Sequence, residues 1–241
     1  MRLFPAIDIQ NGLCVRLRRG DFTDATVFGN DPVEVARHWV SEGAQYLHVV
    51  DLDGAREGAP RNFEIVRRIA ESVAVPVQFG GGVRDLAALE TVGRSPVARL
   101  VIGTSALLDE VFLKSALATW NERLVVAVDA EGGYVRTHGW LKKSGMTAVT
   151  FAERLRGVGV REILYTDIAR DGMLTGVNVP GLKQMAEATD LQLIASGGVT
   201  TLSDLRALKQ LEPLGVSGVI AGRALYDGRF TVAEARQVLE A

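Results

Sequence analysis

Val77-Gln78-Phe79-Gly80-Gly81-Gly82-Val83-Arg84-Asp85-Leu86 recurs late in the chain as Leu193-Ile194-Ala195-Ser196-Gly197-Gly198-Val199-Thr200-Thr201-Leu202. The likeness extends to either side. Upstream, Gly43-Ala44-Gln45-Tyr46-Leu47-His48-Val49-Val50-Asp51 matches Gly159-Val160-Arg161-Glu162-Ile163-Leu164-Tyr165-Thr166-Asp167. Downstream, Val101-Ile102-Gly103-Thr104-Ser105-Ala106-Leu107-Leu108-Asp109 matches Val219-Ile220-Ala221-Gly222-Arg223-Ala224-Leu225-Tyr226-Asp227. Each match is displaced by about half the chain, and self-similarity of this kind marks a fold assembled from repeated units. Each copy is a short apolar run, then glycines, then a segment with helical spacing.

Alternation of that kind runs the length of the molecule. Leu3–Ile9, Tyr46–Leu52, Val77–Phe79, Leu100–Ile102, Leu124–Asp129, Glu162–Thr166, Gln192–Ala195 and Gly218–Ala221 read as strands. The segments between and after them read as helices: Pro32–Glu42, Asn62–Ser72, Leu86–Val92, Asp109–Trp120, Thr147–Val158, Pro180–Ala188, Leu202–Leu211 and Thr231–Leu239. Asp31 before Pro32, and Asp85 before Leu86, carry the signature of a helix start, and Gly43 that of a stop. Val15-Arg16-Leu17 is a short strand excursion inside a long first loop. Eight strand-then-helix units imply a parallel sheet closed on itself, the (β/α)8 or TIM barrel of the α/β class. A doubly wound sheet would want a Gly-rich dinucleotide turn after the first strand, and Asp8-Ile9-Gln10-Asn11-Gly12 lacks it. No Pro/Gly/Ser-rich linker divides the halves, so the expectation is one domain over 1–241, with half-barrels of about 1–121 and 122–241.

Composition agrees. The 241 residues match the roughly 250 typical of such a barrel. Apolar residues make up 47% and aromatic residues only 6%, which suits aliphatic strands buried on both faces. With 27 basic and 29 acidic residues, no basic patch argues for nucleic acid. No apolar run is long enough to cross a bilayer, and no signal peptide is visible. The single cysteine, Cys14, has no partner for a disulfide and no neighbours at metal-ligand spacing. The expectation is a cytoplasmic protein, monomeric, without metal or cofactor.

In a barrel of this kind, functional side chains sit where strands end. Glycine lets backbone N–H groups approach phosphate oxygens, with positive φ where needed. Gly80-Gly81-Gly82 with Gly103-Thr104 forms one candidate cradle, after strands three and four; Ser196-Gly197-Gly198 with Ala221-Gly222-Arg223 forms the other, after strands seven and eight. One glycine pair would be read as a tight turn and no more. Two matched sets predict a small-molecule substrate phosphorylated at both ends. Between them, Asp8 ends the first strand and Asp129 the fifth, facing each other across the mouth. Two carboxylates so placed can act as base and acid if their surroundings separate their pKa values. Arg16 and Arg84 are candidates to pair with a phosphate or an aspartate, and Trp140 to stack on a ring of the substrate. Thr166 ends strand six, and Asp171-Gly172 lies in the next loop, a candidate lid. His48 reads as a packed strand histidine outside the catalytic set.

Pro5-Ala6-Ile7-Asp8, Val15-Arg16-Leu17 and Leu47-His48-Val49-Val50-Asp51-Leu52-Asp53-Gly54-Ala55 resemble the ProFAR isomerase family of the histidine pathway. So do Gly80-Gly81-Gly82-Val83-Arg84, Gly139-Trp140, Tyr165-Thr166-Asp167-Ile168-Ala169-Arg170-Asp171-Gly172 and Ala195-Ser196-Gly197-Gly198-Val199. The resemblance covers essentially the whole chain. It implies an aldose-to-ketose (Amadori) isomerisation of a bis-phosphorylated aminoimidazole carboxamide ribotide, with Asp8 as base and Asp129 as acid. The sister cyclase barrel of the pathway typically carries Cys-Leu-Asp in its first strand, where this chain has Ala6-Ile7-Asp8. The dual-substrate isomerase, which also takes phosphoribosylanthranilate, tends to Ser-Gly-Gly after strand three, against Gly80-Gly81-Gly82 here; Arg136 is its one echo. A non-catalytic phosphate-binding barrel would bind without turnover.

Overall fold

The computed structural model describes residues 1–18 and 20–241. The chain opens with β1 (Arg2–Gln10), β2 (Leu13–Arg18), β3 (Asp21–Gly29), α1 (Pro32–Ser41), β4 (Leu47–Asp51), α2 (Leu52–Glu57) and α3 (Phe63–Ser72). It continues through β5 (Val77–Gly80), α4 (Leu86–Gly93), β6 (Arg99–Ile102), α5 (Thr104–Leu108), α6 (Glu110–Trp120), β7 (Leu124–Glu131), β8 (Tyr134–Thr137) and β9 (Lys142–Thr147). It ends with α7 (Ala148–Gly157), β10 (Glu162–Asp167), α8 (Val179–Thr189), β11 (Gln192–Ser196), α9 (Leu202–Lys209), β12 (Val216–Ala221), α10 (Arg223–Tyr226) and α11 (Val232–Glu240).

Parallel pairing runs β10-β11-β12-β1-β4-β5-β6-β7, and a further β7–β10 pairing closes the ring. This is the eight-stranded barrel, with helices outside. Side chains alternate across each strand, so two apolar layers form. Phe4, Ala6, Val101, Val125, Leu164, Ile194 and Ile220 fill the lumen. A larger layer packs the outer strand faces against the helices, with Ile7, Val49, Phe79, Val126 and Leu193 all fully buried. The helices start where side chains answer the free first-turn amides: Asp31, Asp85, Asp109 and Thr147 accept from the first turns of α1, α4, α6 and α7. Thr201 and Thr231 form full capping boxes on α9 and α11. Among the described residues, no helix is long and apolar enough to cross a membrane.

Three features depart from the sequence reading. First, Leu52 begins α2 rather than ending β4, because the Asp51 carboxylate accepts from Gly54 N and caps a helix there. Second, two antiparallel hairpins rise from the barrel mouth. β2 pairs with β3 beyond β1, and β8 pairs with β9 beyond β7. Asp21–Gly29 is largely exposed, so its strand character comes from pairing and not from a buried apolar face.

Third, the downstream repeat shifts by one residue. Val101 and Ile220 both point into the lumen, and Gly103 and Gly222 both precede a short helix. Val101 therefore corresponds to Ile220, not to Val219, which packs outward. A one-residue slip in a strand exchanges its two faces, so the geometry decides this alignment where apolar residues on both faces leave it open.

Candidate active site

The strand ends of β1, β4, β5, β6, β7, β10, β11 and β12 surround one cleft. Asp8, Arg16, His48, the glycines 80–82, Arg84, Gly103, Thr104, Asp129, Trp140, Thr166, Asp171 and Ser196 all contribute to its wall. Counting the open mouth, the space between these walls is about 1130 Å³. An adjoining hollow of about 300 Å³ is lined by Gly172, Gly197, Gly198, Gly222 and Arg223 and shares Arg16, Asp171 and Ser196 with the cleft. The sequence-predicted residues thus converge on one continuous depression, with one glycine set at each end.

The two glycine sets are built alike. Gly81 and Gly82 have φ of +114° and +80°, and Gly197 and Gly198 have +89° and +92°. A Cβ on Gly81 would lie 2.2 Å from the Asp51 carbonyl oxygen, and one on Gly197 2.6 Å from that of Asp167. Both positions therefore require glycine twice over, for their φ and for the close backbone crossing. Neither α5 nor α10 has a side-chain cap. The backbone at their starts, Gly103-Thr104 and Gly222-Arg223, borders the cavity, so first-turn amides are left for an anion.

Asp8 and Asp129 occupy equivalent strand ends in unlike settings. The β1–β2 hairpin brings Arg16 Nη1 within 2.7 Å of Asp8 Oδ2. Arg16 Nη2 lies 3.9 Å from Asp171 Oδ1, and the guanidinium fits only because Gly222 has no Cβ, which would fall 2.4 Å from Nη2. Arg16 therefore bridges the carboxyl and the second cradle, and its buried Nε has no acceptor among the described residues. Burial pushes the Asp8 carboxyl up to about 6, with Arg16 holding it down and Asp171 adding a small upward push. Asp129 stands beside Thr166 in register. Burial raises its pKa, the Thr166 and Trp140 side chains draw it partly back, and Asp171 repels its charge. Among the described residues, no cation contributes to this balance. Asp171 is also raised by burial, against Arg16 and the Gly172 amide.

Trp140 follows two left-handed residues, His138 and Gly139, and is left-handed itself at φ +72°. Its ring lies across Gly20, where a Cβ would be 2.1 Å away, so it both packs the loop and lines the cleft. The His138 amide donates to Thr104 Oγ1 at 2.9 Å, tying that loop to the first cradle. Arg84 Nη2 donates to the Ala55 carbonyl at 2.6 Å. Arg223 Nη1 donates to the Gly172 carbonyl at 2.8 Å, and its Nε lies 3.2 Å from Asp227. The Arg223 side chain thus holds the Asp171 loop at the edge of the hollow. A Cβ on Gly172 would meet the Leu17 carbonyl at 2.6 Å, so that loop rests on the β2–β3 hairpin.

His48 is the residue that sequence reasoning left out. It lies in the cleft wall, with Nδ1 2.9 Å from Gln78 Nε2. Its inward direction follows from its pairing opposite Ala6, but buried parallel strands are apolar on both faces and hide that alternation.

Fold and cleft together define a (β/α)8 barrel of two like halves, with a polar depression at the strand C-termini. Comparison with known proteins narrows this. Residues 2–231 match the model of the family described as histidine biosynthesis protein, and the chain belongs to that family. A relative from Ruminiclostridium cellulolyticum is 49% identical over 98% of each chain and is named 1-(5-phosphoribosyl)-5-((5-phosphoribosylamino)methylideneamino)imidazole-4-carboxamide isomerase. Relatives of the same name from Nitrobacter hamburgensis, 46% identical over 100% of this chain and 98% of theirs, and from Oceanobacillus iheyensis, 45% identical over 95% and 94%, match equally broadly.

Proposed function

We infer that this chain is the aldose–ketose isomerase of histidine biosynthesis, which turns the aminoaldose ProFAR into the aminoketose PRFAR. The observation that carries the reading is the pair of matched glycine cradles at the ends of one cleft, with differently tuned carboxyls between them. A substrate with a ribose phosphate at either end spans that arrangement. Near-full-length relatives named for the same reaction support it. The protein is proposed to work as a cytoplasmic monomer.

In this mechanism the protonated Asp129 carboxyl gives its proton to the ribose ring oxygen. The C1′–O bond breaks as the adjacent nitrogen lone pair forms C1′=N⁺. Asp8, ionised beside Arg16, removes the hydrogen at C2′, and the released electron pair forms C1′=C2′ and neutralises the nitrogen. The enol hydroxyl then loses its proton while C1′ gains one, leaving a ketone at C2′. Protons move and no net electrons do. The environments match these tasks: a cation favours the ionised base, and burial favours the protonated acid. The cradles, with Gly81, Gly82, Gly103, Thr104, Ser196, Gly197, Gly198, Gly222 and the Arg223 backbone, pin the two phosphates. Arg16 and Arg84 add positive charge near either end, and Trp140 lies against the imidazole carboxamide.

A steady-state assay with the aminoaldose and, separately, phosphoribosylanthranilate tests the reading. Turnover of the first alone is expected. Asp8→Asn and Asp129→Asn should each lower kcat by about 10³-fold or more, with substrate still bound. Asp171→Asn belongs in the same series, because Asp171 is also buried, raised in pKa and within the cleft. Near-full activity in Asp129→Asn with collapse in Asp171→Asn would transfer the acid role to Asp171.

A further inference from the structure

His48 stands one inward-facing position below Asp8 on the neighbouring strand, yet the proton transfers above give it no task. Its setting is unusually specified. Arg99 Nε donates to Gln78 Oε1 at 3.0 Å, and Arg99 is itself anchored by Glu162, which also holds Arg2. A guanidinium only donates, so the oxygen end of the Gln78 amide faces Arg99 and its NH2 end faces His48. His48 Nδ1 is then the acceptor, and the ring proton sits on Nε2. No described residue accepts from Nε2, and the ring borders the cleft. Burial, followed by the charges of Arg16 and Arg99, pushes the imidazole pKa down to about 3, so the ring is neutral at any working pH.

The second half-barrel is an internal control. In the repeat, Leu164 and Ile194 stand where the first half has His48 and Gln78, and both are apolar residues of the lumen layer. Filling that layer therefore needs no polar group. The His48–Gln78 pair has no polar counterpart in the second half, and it leaves a single N–H beside the cleft.

We propose that His48, presented as its Nε2–H tautomer by the Gln78–Arg99–Glu162 chain, donates a hydrogen bond to the sugar oxygen at C2′ as that oxygen passes from hydroxyl to carbonyl. This rests on the isomerase reading. Asp8 takes the hydrogen at C2′, and His48 lies next to it and deeper, so the C2′ oxygen is the acceptor within reach. The imidazole keeps its proton throughout. A neutral donor stabilises the developing carbonyl without competing to protonate the base, and in a closed cleft such a fixed dipole acts strongly. Gln78 is a positioning residue, acting only through the ring.

Two measurements test this. In ¹⁵N NMR of the wild-type chain, the ring signal absent from His48→Gln should report the Nε2–H tautomer, unchanged between about pH 5 and 8. In kinetics, His48→Phe should lower kcat about 10²- to 10³-fold while substrate affinity changes less than about threefold. His48→Gln, which restores a donor, should recover part of the loss. Gln78→Glu keeps the size and the Arg99 contact but can only accept from Nδ1–H. It should move the ring proton to Nδ1 and lower kcat with little change in KM. An imidazolium or an Nδ1–H ring in the wild type overturns the proposal. So does full kcat in His48→Phe, or in Gln78→Glu, the variant that decides the matter should the first not fold. A wild-type chain that binds the aminoaldose without converting it overturns the isomerase reading itself, a result distinct from an active enzyme indifferent to these substitutions.

Discussion

Asp8 and Asp129 are the same residue at equivalent strand ends, and their neighbours make them different acids. Asp8 has a guanidinium at 2.7 Å; Asp129 has a hydroxyl and an indole. A base works only when ionised, so protonation of Asp8 below about 6 should remove activity. kcat/KM is expected to fall about tenfold per pH unit below that point. The alkaline limb should mark loss of the Asp129 proton, and Asp129→Asn should abolish it. A pH profile whose acid limb stays in the ordinary carboxylate range, near 4, would contradict the assignment of Asp8. Glycine 81 carries a second residue-scale expectation. Gly81→Ala drives a Cβ into the Asp51 carbonyl at 2.2 Å in addition to a positive φ and should cost about 3 kcal/mol. Gly132→Ala has the same backbone handicap at φ +58° but open space around it, and should cost about 1 kcal/mol. Urea unfolding of both variants separates strain from collision.

At the scale of elements, division of labour shows in how the helices begin. The outer helices α1, α4, α6, α7, α9 and α11 are closed by side-chain caps, while α5 and α10 carry none and begin beside the cavity. The capping box of α11 joins Thr231 and Glu234, neither of which lines the cleft or the adjoining hollow. Thr231→Ala should therefore lower stability by about 1 kcal/mol and leave kcat and KM unchanged; thermal unfolding and a steady-state assay on the same preparation check both. The hairpins and the Asp171 loop behave differently, because they rest on one another. Gly172 lies on Leu17, and Trp140 on Gly20. Each contact needs a glycine in a left-handed conformation, which is why these loops are visible in the sequence only as scattered glycines.

Across the whole molecule, the barrel is apolar in its middle and polar at both ends. At the mouth lie the carboxyls; at the base, Arg2 and Arg99 converge on Glu162, with Ser217 bonded to it as well. Burial pushes the Glu162 carboxyl up, but the two arginines more than offset this and leave it below its usual value. Glu162→Gln would leave two half-buried guanidinium groups facing each other and should destabilise the fold by about 3 kcal/mol, measurable by chemical denaturation. It should also loosen Arg99, Gln78 and hence His48, so its kcat should fall further than its substrate affinity.

The eight-unit alternation, the repeat, both glycine sets and the two strand-end aspartates were legible in the residues, because strand–helix periodicity and glycine-rich turns are local signals. The direction of His48 was not legible. Neither was the one-residue shift that pairs Val101 with Ile220, nor the strand character of Asp21–Gly29. On a strand buried on both faces, aliphatic residues point inward and outward alike, and only closure of the ring assigns each a side. The difference between the settings of Asp8 and Asp129 has the same origin. The chain by itself determined that two carboxyls would stand at opposite strand ends. What sets the two apart was decided by Arg16 folding back on Asp8 through the β1–β2 hairpin and by the burial around Asp129, which Thr166 and Trp140 offset only in part, since a pKa depends on distances that exist only once the barrel has closed.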